Sequence, residues 1–307
     1  MANIYQYQSA NVHRTWAMFI VFFAVLFALG YAISAYYGDP SFLIFAIIFS
    51  IGYSFISYYA SASIALSLAR AQEIQKSDNP ILWNLVENLA ITAGLPMPKV
   101  YITPEMQINA FATGRDPQHA AVAVTQGALQ RLEKDELQGV LAHELSHVGN
   151  RDILVSTVAA ILAGIISLIA DVFLRSLFFG GFGGGRGRGG NGGGEAQEFF
   201  FIAAIALSIL APIGTMLIQL AISRRREALA DASGVLLTRY PEGLISALKK
   251  IQLDDTPMRA AKDSTAHMWL DTPFKGKGTS WWHKAFMTHP PIEDRIKALQ
   301  DMGGLTS

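Results

Sequence analysis

Four stretches of this chain, residues 16–37, 42–60, 153–170 and 199–222, are apolar over roughly the length of a bilayer crossing. No other feature limits its folds so strongly. A helix rises 1.5 Å per residue, so about 20 residues span a hydrocarbon layer roughly 30 Å thick. Backbone amides in lipid must find partners within their own segment, so each run is expected to be helical. Only Gly38, Asp39, Pro40 and Ser41 separate the first two runs, which reads as a tight hairpin. The first run is longer than the apolar core of a cleavable signal and is followed at once by a second span, so it reads as an anchor. The third run is the weakest. Asp171 and Arg175 follow it, four apart on one helical face, and fit either an ion pair at the membrane edge or a buried soluble helix.

Composition agrees with a membrane chain. Charged residues make up 16% and apolar residues 51%, whereas soluble domains carry about a quarter charged residues. Lys plus Arg equals Asp plus Glu at 24 each, which gives no electrostatic footprint for nucleic acid. Cysteine is absent, so disulfides, thiol nucleophiles and Cys-ligated zinc are excluded, and a metal must be held by His, Asp or Glu. Arg14, Arg70, Lys76, Arg151 and Arg224 to Arg226 fall on one side of the expected membrane layout. The opposite side has the hairpin turn, which carries no Lys or Arg, and a loop with Arg186 and Arg188, so the richer side is expected to be cytoplasmic. That loop, "GGFGGGRGRGGNGGG" at 180–194, has an RGG flavour, but two arginines between spans read as a flexible linker rather than a nucleic-acid site.

The chemistry concentrates in "LQRLEKDELQGVLAHELSHVGN", where Leu137, Val140, Leu141, Leu145 and Val148 recur at helical spacing and Asp135 is a candidate N-cap. His143 and His147, four apart, project from one face and can hold one ion. Glu144, beside the first histidine, can reach a water on that ion without binding it. The segments "KVYIT", "NAFATG" and "AAVAVT" ahead of this helix read as short strands. A catalytic zinc needs a third protein ligand and an open position. Glu227, in "SRRREALADASG", is either that ligand, with Asp231 one turn behind it, or an ordinary partner of neighbouring arginines. Taken alone, His289 in "THPPIEDRIKAL" reads as a turn before the last helix.

"HELSHVGNRD", "SRRREALADASG" and "THPPIEDRIKAL", in this order, resemble the HtpX-type membrane metalloproteases and, more distantly, the CAAX prenyl proteases. The resemblance runs from about residue 80 to the C-terminus. It implies one Zn2+ per chain held by His143, His147 and Glu227, with Glu144 as general base and acid. It implies that Asp231 supports the ligands, paired with Arg295, and that His289 donates to the oxyanion of the tetrahedral intermediate. It implies an edge strand beside the cleft, where Asn109, Ala110 and Phe111 bind an extended peptide. His13, His119, His267 and His283 match no ligand position.

The expected fold is α+β. Four transmembrane helices carry a mostly helical, cytoplasmic, zincin-like protease domain built from residues 61–152 and 223–307. The hairpins 1–60 and 153–222 lie in the bilayer of the inner (plasma) membrane, with both termini cytoplasmic. The expected activity is hydrolysis of internal peptide bonds in misfolded or damaged membrane proteins. Two alternatives stand beside it: a prenyl-peptide processing protease, whose family usually has more spans, and a silent membrane scaffold or transporter with a vestigial site, which would have no need of Glu144.

Overall fold

The computed structural model describes residues 4–180, 224–259, 266–273 and 291–303. The fourth apolar run, residues 181–194 of the glycine-rich loop and His289 lie outside the described residues. The first apolar run forms the last two-thirds of a longer helix, α1 (Ile4–Tyr37), and the second forms α2 (Ser41–Tyr59). Gly38 turns the chain between them with φ of 68°, and Asp39 accepts a hydrogen bond from the Ser41 amide at 2.9 Å. The polarity of α2 is reversed relative to a soluble helix. Its buried residues are Ser50 and Ser57, while Phe45, Ile48, Ile51 and Phe55 are exposed by 57–68%. A helix that turns serines inward and large apolar groups outward is built for lipid.

The third apolar run lies in α7 (Asp152–Gly180). The first half of this helix is enclosed by protein: Leu154, Val155, Val158, Ala159 and Leu162 pack against Met18, Phe22 and Leu26 of α1. Among the described residues two helices are long and apolar enough to cross a membrane by themselves. A third crossing is reached only if α7 is joined to α6 (Lys134–Gly149), from which it departs at 85°.

After α2 comes the short α3 (Ser61–Leu68), then a four-stranded sheet of β1 (Gln72–Glu73), β2 (Lys99–Thr103), β3 (Ala110–Gly114) and β4 (Ala120–Thr125), in the order β1-β2-β4-β3. β2 and β4 run parallel, with Val100 opposite Val122, and β3 pairs antiparallel to β4, with Ala112 opposite the same Val122. Every residue of β4 is buried because both faces of the sheet are covered. One face packs on α4 (Pro80–Ala93) and α6 through Leu82, Leu85, Leu89, Leu141 and Leu145. The other places Phe111 and Ala123 against Leu66, Ala160 and Trp269. α4 has local signals at both ends. Asn79 accepts from the Leu82 amide at 3.0 Å with Pro80 in the first turn, and Gly94 closes the helix in the left-handed region.

α5 (Gln126–Arg131) leads into α6, which begins one residue before the expected cap. The cap is Glu133, whose amide donates to Glu136 at 2.7 Å, and Asp135 sits in the first turn, where its charge complements the helix dipole. The core closes over α6 with α8 (Arg224–Thr238), which packs Val235 and Leu237 against it, and with α9 (Pro241–Leu253) and α10 (Ile292–Gly303), which supply Leu244, Leu248, Ile251 and Leu299.

Candidate metal centre

α6 carries His143, Glu144 and His147 on its buried length, and α8 crosses it closely. The close packing of α8 and α9 on α6 depends on two glycines, one for each. A Cβ on Gly234 would sit 3.1 Å from the His143 nitrogen, and one on Gly139 only 2.7 Å from the backbone nitrogen of Leu244 in α9. Backbone packed this tightly carries Glu227 of α8 to the histidines. Glu227 Oε2 lies 3.7 Å from His143 Nε2, and its Oε1 lies 3.7 Å from His147 Nε2. The two Nε2 atoms are 3.2 Å apart, and the three donor atoms all fall within 4.8 Å of one another.

A tetrahedral zinc with bonds of roughly 2.0–2.1 Å sets its ligand atoms about 3.3–3.5 Å apart, so these separations suit such an ion. The outward nitrogens are already occupied. His143 Nδ1 lies 2.8 Å from Asp231 Oδ1, and His147 Nδ1 lies 3.1 Å from Asp152 Oδ2. Both Nε2 lone pairs are thereby directed at one point, which is how carboxylates fix the tautomer of metal-binding histidines. The electrostatics favour a cation there as well. Burial opposes charge on His147, but the Asp152 hydrogen bond and the charges of Glu227, Asp152 and Glu144 outweigh it and push the ring's pKa to about 9. Surroundings that hold a proton so firmly suit a metal ion, which must displace that proton to bind.

Behind His143 lies a buried ion pair. Arg295 of α10 donates from Nε to Asp231 Oδ2 at 2.9 Å and from Nη2 to Asp231 Oδ1 at 2.7 Å. Both residues are 3% exposed. Burial raises the Asp231 pKa, but the Arg295 charge and the His143 hydrogen bond dominate and hold the carboxyl well below the usual range. The second terminal nitrogen of Arg295, Nη1, has no hydrogen-bond partner among the described residues. Glu144 is 4% exposed, and its charge reaches both His147 and Arg295.

The residues expected along the substrate strand are occupied by the chain itself at one end. Asn109 is buried, donating from Nδ2 to the Asp271 carbonyl at 2.9 Å and accepting from the Asp271 amide at 3.3 Å. The Ala110 carbonyl accepts from the Leu270 amide at 3.0 Å, and the Phe111 ring meets Trp269 edge-on at 4.7 Å. β3 is the sheet's outer strand beyond β4. Because the backbone of Ala110 faces away from β4, that of Ala112, two residues on, faces the same way.

Asp152 was not among the residues that motif reading singled out. Five positions after His147, it would lie on the far side of a continuous helix. The break between α6 and α7, where Arg151 takes the left-handed conformation with φ of 58°, brings it back beside the ring. Asn11 of α1, which donates to Asp152 Oδ1 at 2.6 Å, was hidden by its distance in sequence.

Residues 76–303 match the model of Peptidase family M48. Over 303 residues the chain is 45% identical to a protease HtpX homolog of Lactobacillus acidophilus, covering 97% of this chain and all of that one. It is 46% identical to a protease HtpX homolog of Caldanaerobacter subterraneus (97% of this chain, 98% of the relative). It is 43% identical to one of Tropheryma whipplei (98% of this chain, 99% of the relative). Among solved structures, Ste24p of S. mikatae aligns over 90% of this chain and 61% of its own length, at 18% identity and a TM-score of 0.49. The family match begins just ahead of α4, ends at the last helix and takes in both histidines, Glu144 and Glu227, and so the chain, a membrane metalloprotease, belongs to peptidase family M48.

Proposed function

We propose that this protein is a zinc endopeptidase of the cell membrane that cleaves misfolded or damaged membrane proteins on the cytoplasmic side. His143, His147 and Glu227 would hold the zinc. The reading rests on one observation: three donor atoms from two segments 80 residues apart in sequence meet within 4.8 Å, with Glu144 on the adjoining position. Zinc bound by such a set supplies Lewis-acid activation of water and of the scissile carbonyl. Glu144 takes a proton from the attacking water and returns it to the departing amine, a role suited to a carboxylate next to a ligand but outside the donor set. Asp231 and Asp152 keep the imidazoles aimed, and Arg295 keeps Asp231 ionised and still. His289 is assigned to the oxyanion by family resemblance.

Substrate backbone adds beside β3, the outer strand of the sheet, through the amide and carbonyl of Ala112, a mode that reads main chain and not side chains and so suits damaged proteins of varied sequence. The lipid-facing surface of α2 and the enclosure of α7 by α1 support delivery from the bilayer. The bias of Lys and Arg supports a cytoplasmic active site, with residues 61–152 and 223–307 forming one protease body between the hairpins 1–60 and 153–222. Purified Glu144→Gln is expected to retain its zinc yet fail to cleave casein; cleavage at the wild-type rate refutes the assignment.

A further inference from the structure

We infer that Asn11, on the first membrane helix, is a positioning residue of the metal centre, acting through Asp152 on His147. The inference rests on the reading of His147 as a metal ligand. One face of α1 is buried from Asn11 to Leu26: Asn11, Thr15, Met18, Phe22 and Leu26 follow one another at intervals of three or four. Its upper part is apolar and packs on Val155, Val158, Ala159 and Leu162 of α7. That packing sets the register of α1 against the helix that begins at Asp152, and it delivers the polar residue at the foot of the same face to the metal site.

There Asn11 is 2% exposed and fully engaged. Its Nδ2 donates to Asp152 Oδ1 at 2.6 Å and to the Asn150 carbonyl at 3.1 Å. Its Oδ1 accepts from Arg226 at 3.4 Å and from Arg14 at 3.4 Å. Arg226 is itself buried, lies 3.6 Å from Asp152 Oδ1, and immediately precedes Glu227. One amide therefore ties together the carboxylate behind His147, the carbonyl at the α6–α7 corner, and the arginine next to the third donor. The other oxygen of Asp152 is the one that meets His147. Without the Asn11 donor, Asp152 Oδ1 keeps only the longer Arg226 contact among these partners, and the carboxylate is free to rotate away from the ring. A partner that orients a ligand histidine typically accounts for 10–100-fold in metal affinity. The metal centre would accordingly reach full affinity only with the Asn11 side chain in place.

The test uses the full-length chain in detergent, with zinc affinity measured by chelator competition. Asn11→Ala is expected to bind zinc about tenfold more weakly than wild type, and to add nothing when placed on an Asp152→Ala background. kcat is expected to recover as free zinc is raised, with KM for casein unchanged. Met18→Ala, a packing change on the same face, is expected to lower the melting temperature and leave zinc affinity within twofold. Three results overturn the inference: an Asn11→Ala affinity within twofold of wild type, a loss fully additive with Asp152→Ala, or an equal loss in Met18→Ala. His147→Ala separates the two levels of the argument. If it binds zinc as wild type does, the ligand reading fails and takes the inference with it. If it loses zinc while Asn11→Ala does not, only the inference fails.

Discussion

Replacing Asp231 with asparagine tests the buried support of the site most directly. The side chain keeps its shape but loses its charge, and whichever way its amide turns, its NH2 group faces a partner that is itself a donor. Arg295 approaches through two nitrogens at 2.7 and 2.9 Å and is 3% exposed, so the substitution leaves a buried guanidinium without its hydrogen-bonded counter-charge. Breaking one side of such a pair costs about 3–5 kcal/mol. For a body of this size, at about 2–4 °C per kcal/mol, the melting temperature should fall by roughly 6–20 °C. His143 loses the charged acceptor 2.8 Å from its Nδ1, so zinc should also bind roughly 10–100-fold more weakly. Arg295→Met alone leaves the opposite charge stranded and should cost about as much. The double variant buries neither charge, and its loss of stability should fall short of the sum of the two single losses by at least 1–3 kcal/mol. Its zinc affinity should stay low, because His143 still lacks its carboxylate. The assay is thermal melting in mild detergent, with chelator competition run in parallel. An Asp231→Asn protein that melts within about 2 °C of wild type, or two losses that simply add, would refute the reasoning.

Gly139→Ala should destabilise by about 1–2 kcal/mol, since overpacking against the Leu244 backbone exceeds the roughly 1 kcal/mol gained in helix propensity. Gly149→Ala, whose new methyl would meet only the Leu95 methyls at 3.8–3.9 Å, should be neutral or stabilising in the same melting experiment. Asp254 accepts from the Ile108 amide and from Arg131; burial raises its pKa, but these bonds outweigh it and bring it down to about 2 from 3.8. Because the folded value is the lower one, this carboxylate stabilises the protein fully above about pH 4 and loses its contribution of about 2 kcal/mol as pH falls towards 2. Asp254→Ala should flatten the pH dependence of melting in that window. Stripping the protein with 1,10-phenanthroline should abolish casein cleavage, and zinc should restore it; activity that survives complete metal removal, verified by elemental analysis, would contradict the metal-dependent reading.

Signals confined to a few neighbouring residues could be read from the sequence. The helical spacing from Leu137 to Val148 becomes α6, and the segments "KVYIT", "NAFATG" and "AAVAVT" become β2, β3 and β4. Spacing also names His143 and His147, and the family resemblance adds Glu227; the fold brings the donor atoms of all three together. What escaped the reading depends on geometry between segments. Asp152 meets His147 only because the chain turns sharply at Asn150 and Arg151, and helical arithmetic had set them apart. Asn11 lies in a polar stretch ahead of an apolar run, and nothing local says that its face continues through Met18 and Phe22. Val155, Val158 and Leu162, in the weakest of the four apolar runs, are fully enclosed by protein. Composition records that a side chain avoids water and is silent on whether its neighbours are acyl chains or other residues.

The reversed polarity of α2 has a practical corollary. Outside hydrocarbon, Phe45, Ile48, Ile51 and Phe55 would form an uncovered greasy stripe, and the obvious remedy for a biochemist is to amputate the hairpin and keep the remainder. That surgery would not yield a tidy soluble catalyst. Cutting at residue 60 strips Met18, Phe22 and Leu26 from Leu154, Val155 and Leu162, exchanging one sticky surface for another. The anchor and the hydrolase are a single piece of architecture.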